Sequence, residues 1–159
     1  MGYINKIGFS AYNKLQIKKA LTLFKPDIIQ LPFNVFDQGL LHDGTLALLK
    51  SLNIEVHARS SFLQGLLIMD ISKVPIYFNK WRFYLERWHS YCSQINYSPK
   101  SVALNFSASQ KLIDKVIVGV ENEMQLIELI NLPEISSEID LKFLNCKDEY
   151  LINPSKWKV

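Results

Sequence analysis

The feature that most constrains how this chain can fold is a change of apolar period that recurs along it. Short β-type runs give way to longer stretches with apolar residues three and four apart, and then return. That alternation marks βα units in a parallel sheet, and four units can be counted. The first pairs a strand at Ile4–Phe9 with a helix from Tyr12 to Phe24, in which Ile17, Ala20, Leu21 and Phe24 share a face and Pro26 ends the run. The second has a strand at Asp27–Leu31, apolar enough to expect cover on both faces. Its helix begins near Asp43 and carries Leu48, Leu49 and Leu52. The third strand is Ile54–Ala58 and the fourth is Lys115–Val118.

A longer excursion separates the third and fourth strands. It contains a helix over Asn79–Gln94 whose Trp81, Tyr84, Leu85, Trp88, Tyr91 and Cys92 recur at helical spacing, which reads as a packing face rather than a base-stacking one. Ser98 and Pro99 then supply a cap and a first-turn proline to a second helix holding Val102, Leu104 and Phe106. After the fourth strand, Asn122 with Gln125 forms a capping-box-like start for a helix over Glu123–Asn131. A tail through Ser136 to Asn145, ending Asn-Pro-Ser-Lys-Trp, follows. No repeat or linker breaks the pattern, so a single domain over residues 1–159 is expected.

Composition narrows the class. With 48% hydrophobic and 21% charged residues the chain reads as a globular protein, and no apolar run approaches the ~20 residues a membrane helix needs. The N-terminal Met-Gly-Tyr-Ile-Asn-Lys has no signal-peptide core, so a cytoplasmic location is expected. Net charge is only +3, and Lys14, Lys18 and Lys19 fall on a helix's polar face, too sparse a pattern for nucleic acid. Cys92 and Cys146 lack any metal-ligand spacing and read as free thiols, with no metal site.

Chemistry in a parallel α/β fold gathers where strands end. Those ends read Gly8-Phe9-Ser10-Ala11-Tyr12, Gln30-Leu31-Pro32-Phe33-Asn34, His57-Ala58-Arg59-Ser60-Ser61-Phe62-Leu63-Gln64-Gly65 and Val118-Gly119-Val120-Glu121-Asn122. In this order, and with the Pro-Ser-Lys-Trp ending, they resemble the second half of the aldo/keto reductase family. Bacterial members carrying Arg-Ser-x-Phe-Leu-Gln-Gly-Leu-Leu at the third position are the nearest in pattern. The resemblance runs from about Ile4 to Trp157.

What it implies is strands five to eight of a (β/α)8 barrel, that is, about four parallel strands with covering helices, binding NADP or NAD without a Gly-rich Rossmann loop. No G-x-G-x-x-G occurs here. By position, Ser10 and Gln30 correspond to residues that hydrogen-bond the nicotinamide carboxamide, and Arg59 to one that packs on the nicotinamide ring, commonly a tyrosine. Ser60, Phe62, Gln64 and Gly65 correspond to the loop that holds the pyrophosphate, where several donors and a close backbone are needed. Gly119 lies in the last strand-end motif; Gln125 and Glu128 correspond to positions near the adenine, on a helix start that favours phosphate.

The chain also departs from the family pattern. Ala11 stands where an asparagine is usual, Leu129 where another is, and no cation accompanies Gly119 and Val120 to grip a 2′-phosphate, which leaves NADP and NAD both open. The family's catalytic aspartate, tyrosine, lysine and histidine belong to the first four strands, and Tyr12, Lys14 and His57 match none of those positions. His57, alternating with Val56 and Ala58, reads as a packed, hydrogen-bonded histidine. Two readings follow: the cofactor-binding C-terminal part of an NAD(P)-dependent reductase of a sugar or small aldehyde, inactive alone, or a non-catalytic remnant or nucleotide-binding module. A half-barrel has open edges, so it is expected to pair with a second half, either a copy or an N-terminal piece.

Overall fold

A computed structural model of the chain describes residues 2–135 and 139–158. Strands β1 (Gly8–Ser10), β2 (Ile28–Pro32), β3 (Glu55–Arg59) and β4 (Lys115–Val116) form one parallel sheet in the order β1-β2-β3-β4. This is the partial (β/α)8 barrel expected from the alternating pattern. In register, Gly8 faces Ile28 and Glu55, Ser10 faces Gln30, His57 and Lys115, and Pro32 faces Arg59.

Because strand side chains alternate, those rows share one side of the sheet, and Phe9, Ile29, Leu31, Val56, Ala58 and Val116 share the other. Helices cover only the second side. Ile29, Leu31, Val56 and Ala58 are fully buried there with Ile17, Leu46, Leu49, Val102 and Ala103. Cover on both faces of the second strand is therefore not what the chain builds: Ile28 and Gln30 are only half-buried. The apolar look of Asp27–Leu31 conceals a strand covered on one face and only partly covered on the other, where Ile28 and Gln30 stand.

Local chemistry explains the element bounds. Helix α1 (Lys14–Leu21) starts where the Asn13 side chain accepts from the Gln16 N–H at 3.0 Å, two residues later than its apolar face suggests. The expected second helix is α3 (Thr45–Ser51), starting two residues after Asp43; a short helix not expected from the sequence, α2 (Gly39–His42), precedes it, and Gly44 between them takes φ +79°. Asp43 Oδ1 accepts from the Thr45 N–H at 2.9 Å across that break. The first strand is shorter than its sequence run, with Tyr3 and Ile4 exposed, and β4 keeps only two residues of Lys115–Val118. Gly8 is required where it stands: a Cβ there would lie 2.3 Å from the Ile28 carbonyl oxygen.

The excursion packs as its aromatic stripe predicts. In α4 (Arg82–Gln94), Leu85, Trp88 and Cys92 are buried, and the Trp88 Nε1–H donates to the Leu67 carbonyl at 2.7 Å. Helix α5 (Pro99–Ala108) is capped by Ser98 and stacks Phe106 on Phe33, ring centres 5.3 Å apart. The helix over Glu123–Ile130, α6, has no buried residue. Cys92 and Cys146 are free thiols, and both are buried. The tail folds back over the ends of the strands: the Cys146 N–H donates to the Phe36 carbonyl at 2.8 Å, and Trp157 packs edge-on against Phe78. Ser136 lies outside the described residues. Among those described, no helix is long and apolar enough to cross a membrane and no side-chain cluster could hold a metal.

Candidate functional site

At the C-terminal ends of the strands, register brings Ser10 and Gln30 side by side, and the Ser10 hydroxyl donates to Gln30 Oε1 at 3.3 Å. One step further along β3, the Arg59 guanidinium lies 4.4 Å from the centre of the Tyr12 ring and donates to Ser60 Oγ at 3.2 Å. The Ser10–Gln30 pair and the Tyr12–Arg59–Ser60 set are two polar groups at the ends of neighbouring strands. Buried Asn34 ties the loop after β3 to the turn after β2: its Nδ2 donates to the Ser60 carbonyl while its Oδ1 accepts from the Phe36 and Asp37 N–H groups.

The loop after Arg59 has an unusual backbone. Ser60, Leu63, Gln64 and Gly65 all take positive φ, at 64°, 47°, 53° and 85°. For the three residues with side chains this costs of order 1 kcal/mol each. Buried Leu63, Leu66 and Leu67 nail the loop to the core and hold it in this shape. Its internal turns use the N–H groups of Leu63, Gly65, Leu66, Leu67 and Ile68, and leave those of Ser61, Phe62 and Gln64 out of the backbone network. Ser61 Oγ is buried with no hydrogen-bond partner. A Cβ built on Gly65 or on Gly119 would meet no atom within 4 Å. Unspent donors, an orphaned hydroxyl and open space beside glycine suit an anion such as a pyrophosphate.

The remaining candidates are differently employed. Gln125 Oε1 accepts from the Glu121 N–H at 2.9 Å while its own N–H donates to Asn122, so the side chain closes the start of α6. Glu128 is paired with Lys100 at 2.6 Å. Thus Ser10 with Gln30 and Arg59 with Ser60 stand at the ends of neighbouring strands, Phe62, Gln64 and Gly65 follow on the strained loop, and Gly119, Gln125 and Glu128 lie on the β4–α6 side.

A cleft of about 780 Å³ opens beside Arg59, lined by Tyr12, Pro32, Asp37, Cys146 and Asn153 among others. Asp37 and the returning tail are the parts the sequence reading missed. Burial pushes the Asp37 carboxyl up to about 7, against the opposing pull of the Gly39 N–H and the Arg59 charge. A carboxylate inside the apolar run Phe33–Leu41 was the available signal. On the open side of the sheet, His57 Nε2 lies 2.7 Å from Glu55 Oε1, the hydrogen-bonded histidine that was expected.

A parallel βα sheet covered by helices on one side, with polar residues at the ends of its strands, defines a sector of an α/β barrel. The chain belongs to the aldo/keto reductase family, which it matches over residues 1–141. Among solved structures it is similar to the aldo-keto reductase AKR11C1 from Bacillus halodurans. The apo form gives a TM-score of 0.68 at 15% identity over 86% of this chain and 49% of that one. The holo form gives 0.67 at 14% identity over 87% and 49%. The chain therefore spans about half the length of these structures. No curated protein matches it in sequence.

Proposed function

We infer that the chain is the C-terminal half of an aldo/keto reductase barrel, strands five to eight, forming one domain over residues 1–159 and acting in the cytoplasm. Its role is to hold NADP or NAD for the reduction of a carbonyl by a barrel completed by a second half. The strained loop from Ser60 to Gly65, with its unspent donors beside Arg59, carries this reading. A bound nicotinamide cofactor supplies the hydride. Ser10 and Gln30 orient its carboxamide, Arg59 packs on its ring, and Ser60, Phe62, Gln64 and Gly65 hold its pyrophosphate, with Gly119, Gln125 and Glu128 toward the adenine.

The proton-transferring aspartate, tyrosine, lysine and histidine belong to the other half, so the chain alone is expected to bind without turning over. His57 supports that assignment, since its Nε2 already engages Glu55. Fluorescence titration of the full chain with NADPH and NADH is the test. Saturable binding without carbonyl reduction is expected; no binding at millimolar cofactor would remove the cofactor role, and turnover by the chain alone would overturn the division of labour.

A further inference from the structure

We propose that the cleft beside Arg59 binds a small organic acid, its carboxylate set between the Arg59 guanidinium and the Asp37 carboxyl and its apolar body lying along the returning tail. This goes beyond the cofactor reading, which uses Arg59 but gives Asp37 and the cleft no task.

The walls of the cleft are fixed in advance. Asp37 stands in the turn between β2 and α2, and the residues on either side of it hold the tail against that turn. The Cys146 N–H donates to the Phe36 carbonyl at 2.8 Å, the Gln38 N–H to Asn145 Oδ1 at 3.3 Å, and Gln38 Nε2 to the Leu141 carbonyl at 2.8 Å. The tail is a wall rather than a flap. Pro32 and Leu40 on one side, with Ile152 and Pro154 on the other, give the space of about 780 Å³ an apolar lining for a ligand's body.

Most of the charge around this space is already matched. Lys14 pairs with Asp43 at 3.6 Å, and Lys156 pairs with Glu149. Asp148, next along the tail, is taken by the Trp81 N–H and by Lys80. Arg59, Lys147 and Asp37 also line the cleft, and among the described residues none of the three is ion-paired. With every lining charge counted, four cations stand against three carboxylates. The surplus suits a single negative charge.

Asp37 is the group left wanting a partner. Its side chain is nine-tenths buried, and besides the Gly39 N–H and the more distant Arg59 charge nothing draws on its carboxyl. Burial holds that carboxyl up to about 7, so at lower pH it carries an O–H. A carboxyl O–H donates to a carboxylate in a short, charge-assisted hydrogen bond, and a guanidinium serves the other oxygen. Arg59 has donors for this, since it spends its ring face on Tyr12 and one N–H on Ser60 Oγ. A phosphate would bring a second charge against a carboxyl with one proton to give. The arrangement therefore selects the carboxylate.

Other titratable groups adjoin Asp37. Cys146 on the tail and Tyr84 beyond it on α4 are both held above their ordinary values. His42 on α2 has its Nε2 3.1 Å from Gln38 Oε1, and a His42→Gln control separates its titration from that of Asp37.

The test is calorimetric titration of the full chain with benzoate, benzamide and inorganic phosphate at pH 6 and pH 8. Benzoate is expected to bind about tenfold more tightly at pH 6, following the protonated fraction of Asp37, with the same ratio in His42→Gln. Benzamide and phosphate are expected not to compete with it. Asp37→Asn, which keeps a donor, should retain benzoate binding and lose the pH dependence. Should that variant fail to fold by circular dichroism, the pH ratio of the unaltered chain decides. Equal benzoate affinity at the two pH values, equal binding of benzamide, displacement by phosphate or no binding of benzoate each overturns the inference. NADPH titrated into the same samples keeps the two readings apart: NADPH without benzoate overturns this site alone, and benzoate without NADPH overturns the cofactor role alone.

Discussion

The Arg59 guanidinium carbon sits 4.4 Å from the centre of the Tyr12 ring, joining the turn after β1 to the end of β3 across the intervening strand. An aromatic face fixes a guanidinium in one orientation without consuming its N–H donors, and one of those donors reaches Ser60 Oγ. The long side chain is thereby set before any ligand arrives.

Arg59→Leu should therefore weaken NADPH or NADH binding by about tenfold, the loss of ~1.4 kcal/mol of ring contact. Tyr12→Leu should weaken it by about threefold, through a freer Arg59, while Tyr12→Phe leaves it unchanged. Fluorescence titration checks all three. Equal losses for Tyr12→Phe and Tyr12→Leu would show that the hydroxyl, not the ring, is what matters.

Asp37 should make the protein less stable as pH rises. Its carboxyl titrates at about 7 when folded and near 3.8 when unfolded. Between those values the native state holds a proton the unfolded state has lost, so stability falls across the window and levels off above 7. Asp37→Asn is expected to remove that slope and to stabilise the chain at pH 8 by about 3 kcal/mol, with little change at pH 3.5. Urea melts at the two pH values decide it.

Glu55 acts in the opposite sense. With its folded pKa lowered to about 2 from an ordinary 4.5, its contribution is fully present above 4.5 and is lost as pH falls toward 2. Glu55→Gln should flatten the acid limb of the stability curve. An unchanged limb would mean that the contacts from His57 and Lys6 do not persist in solution.

Trp88→Phe should cost about 2–3 kcal/mol, because it both shrinks a fully buried side chain and leaves the Leu67 carbonyl without its donor. The effect should reach the site. Amide exchange at Leu63 to Ile68 is expected to quicken more than exchange at Ile29 or Val56, since Leu67 is where α4 grips the strained loop.

The four βα units, the aromatic packing face and the cap at Ser98 were legible in sequence because periodicity and caps are local properties. The uncovered face was not. Ile28 and Ile29 look alike in the sequence, and only the position of the covering helices makes one half-buried and the other fully buried. Asn34 and Asp37 escaped for a related reason: their partners, the Ser60 carbonyl and the Arg59 charge, come from a strand far along the chain. The loop at Ser60–Gly65 was legible as a motif, but its four positive φ values were not, because Leu63 and Gln64 carry no glycine-like mark.

Strand order in the sheet is identical to strand order in the chain. Each new strand can therefore add to an edge already made, without waiting for residues still to be synthesised, and the molecule is suited to assembly in the direction of translation. Helix α4 and helix α5 must be delivered between β3 and β4, which makes β4 the last and slowest arrival at the sheet. A nascent chain released before Lys115 would thus leave β3, not β4, as its sticky margin, and that margin is where a chaperone would have to stand guard.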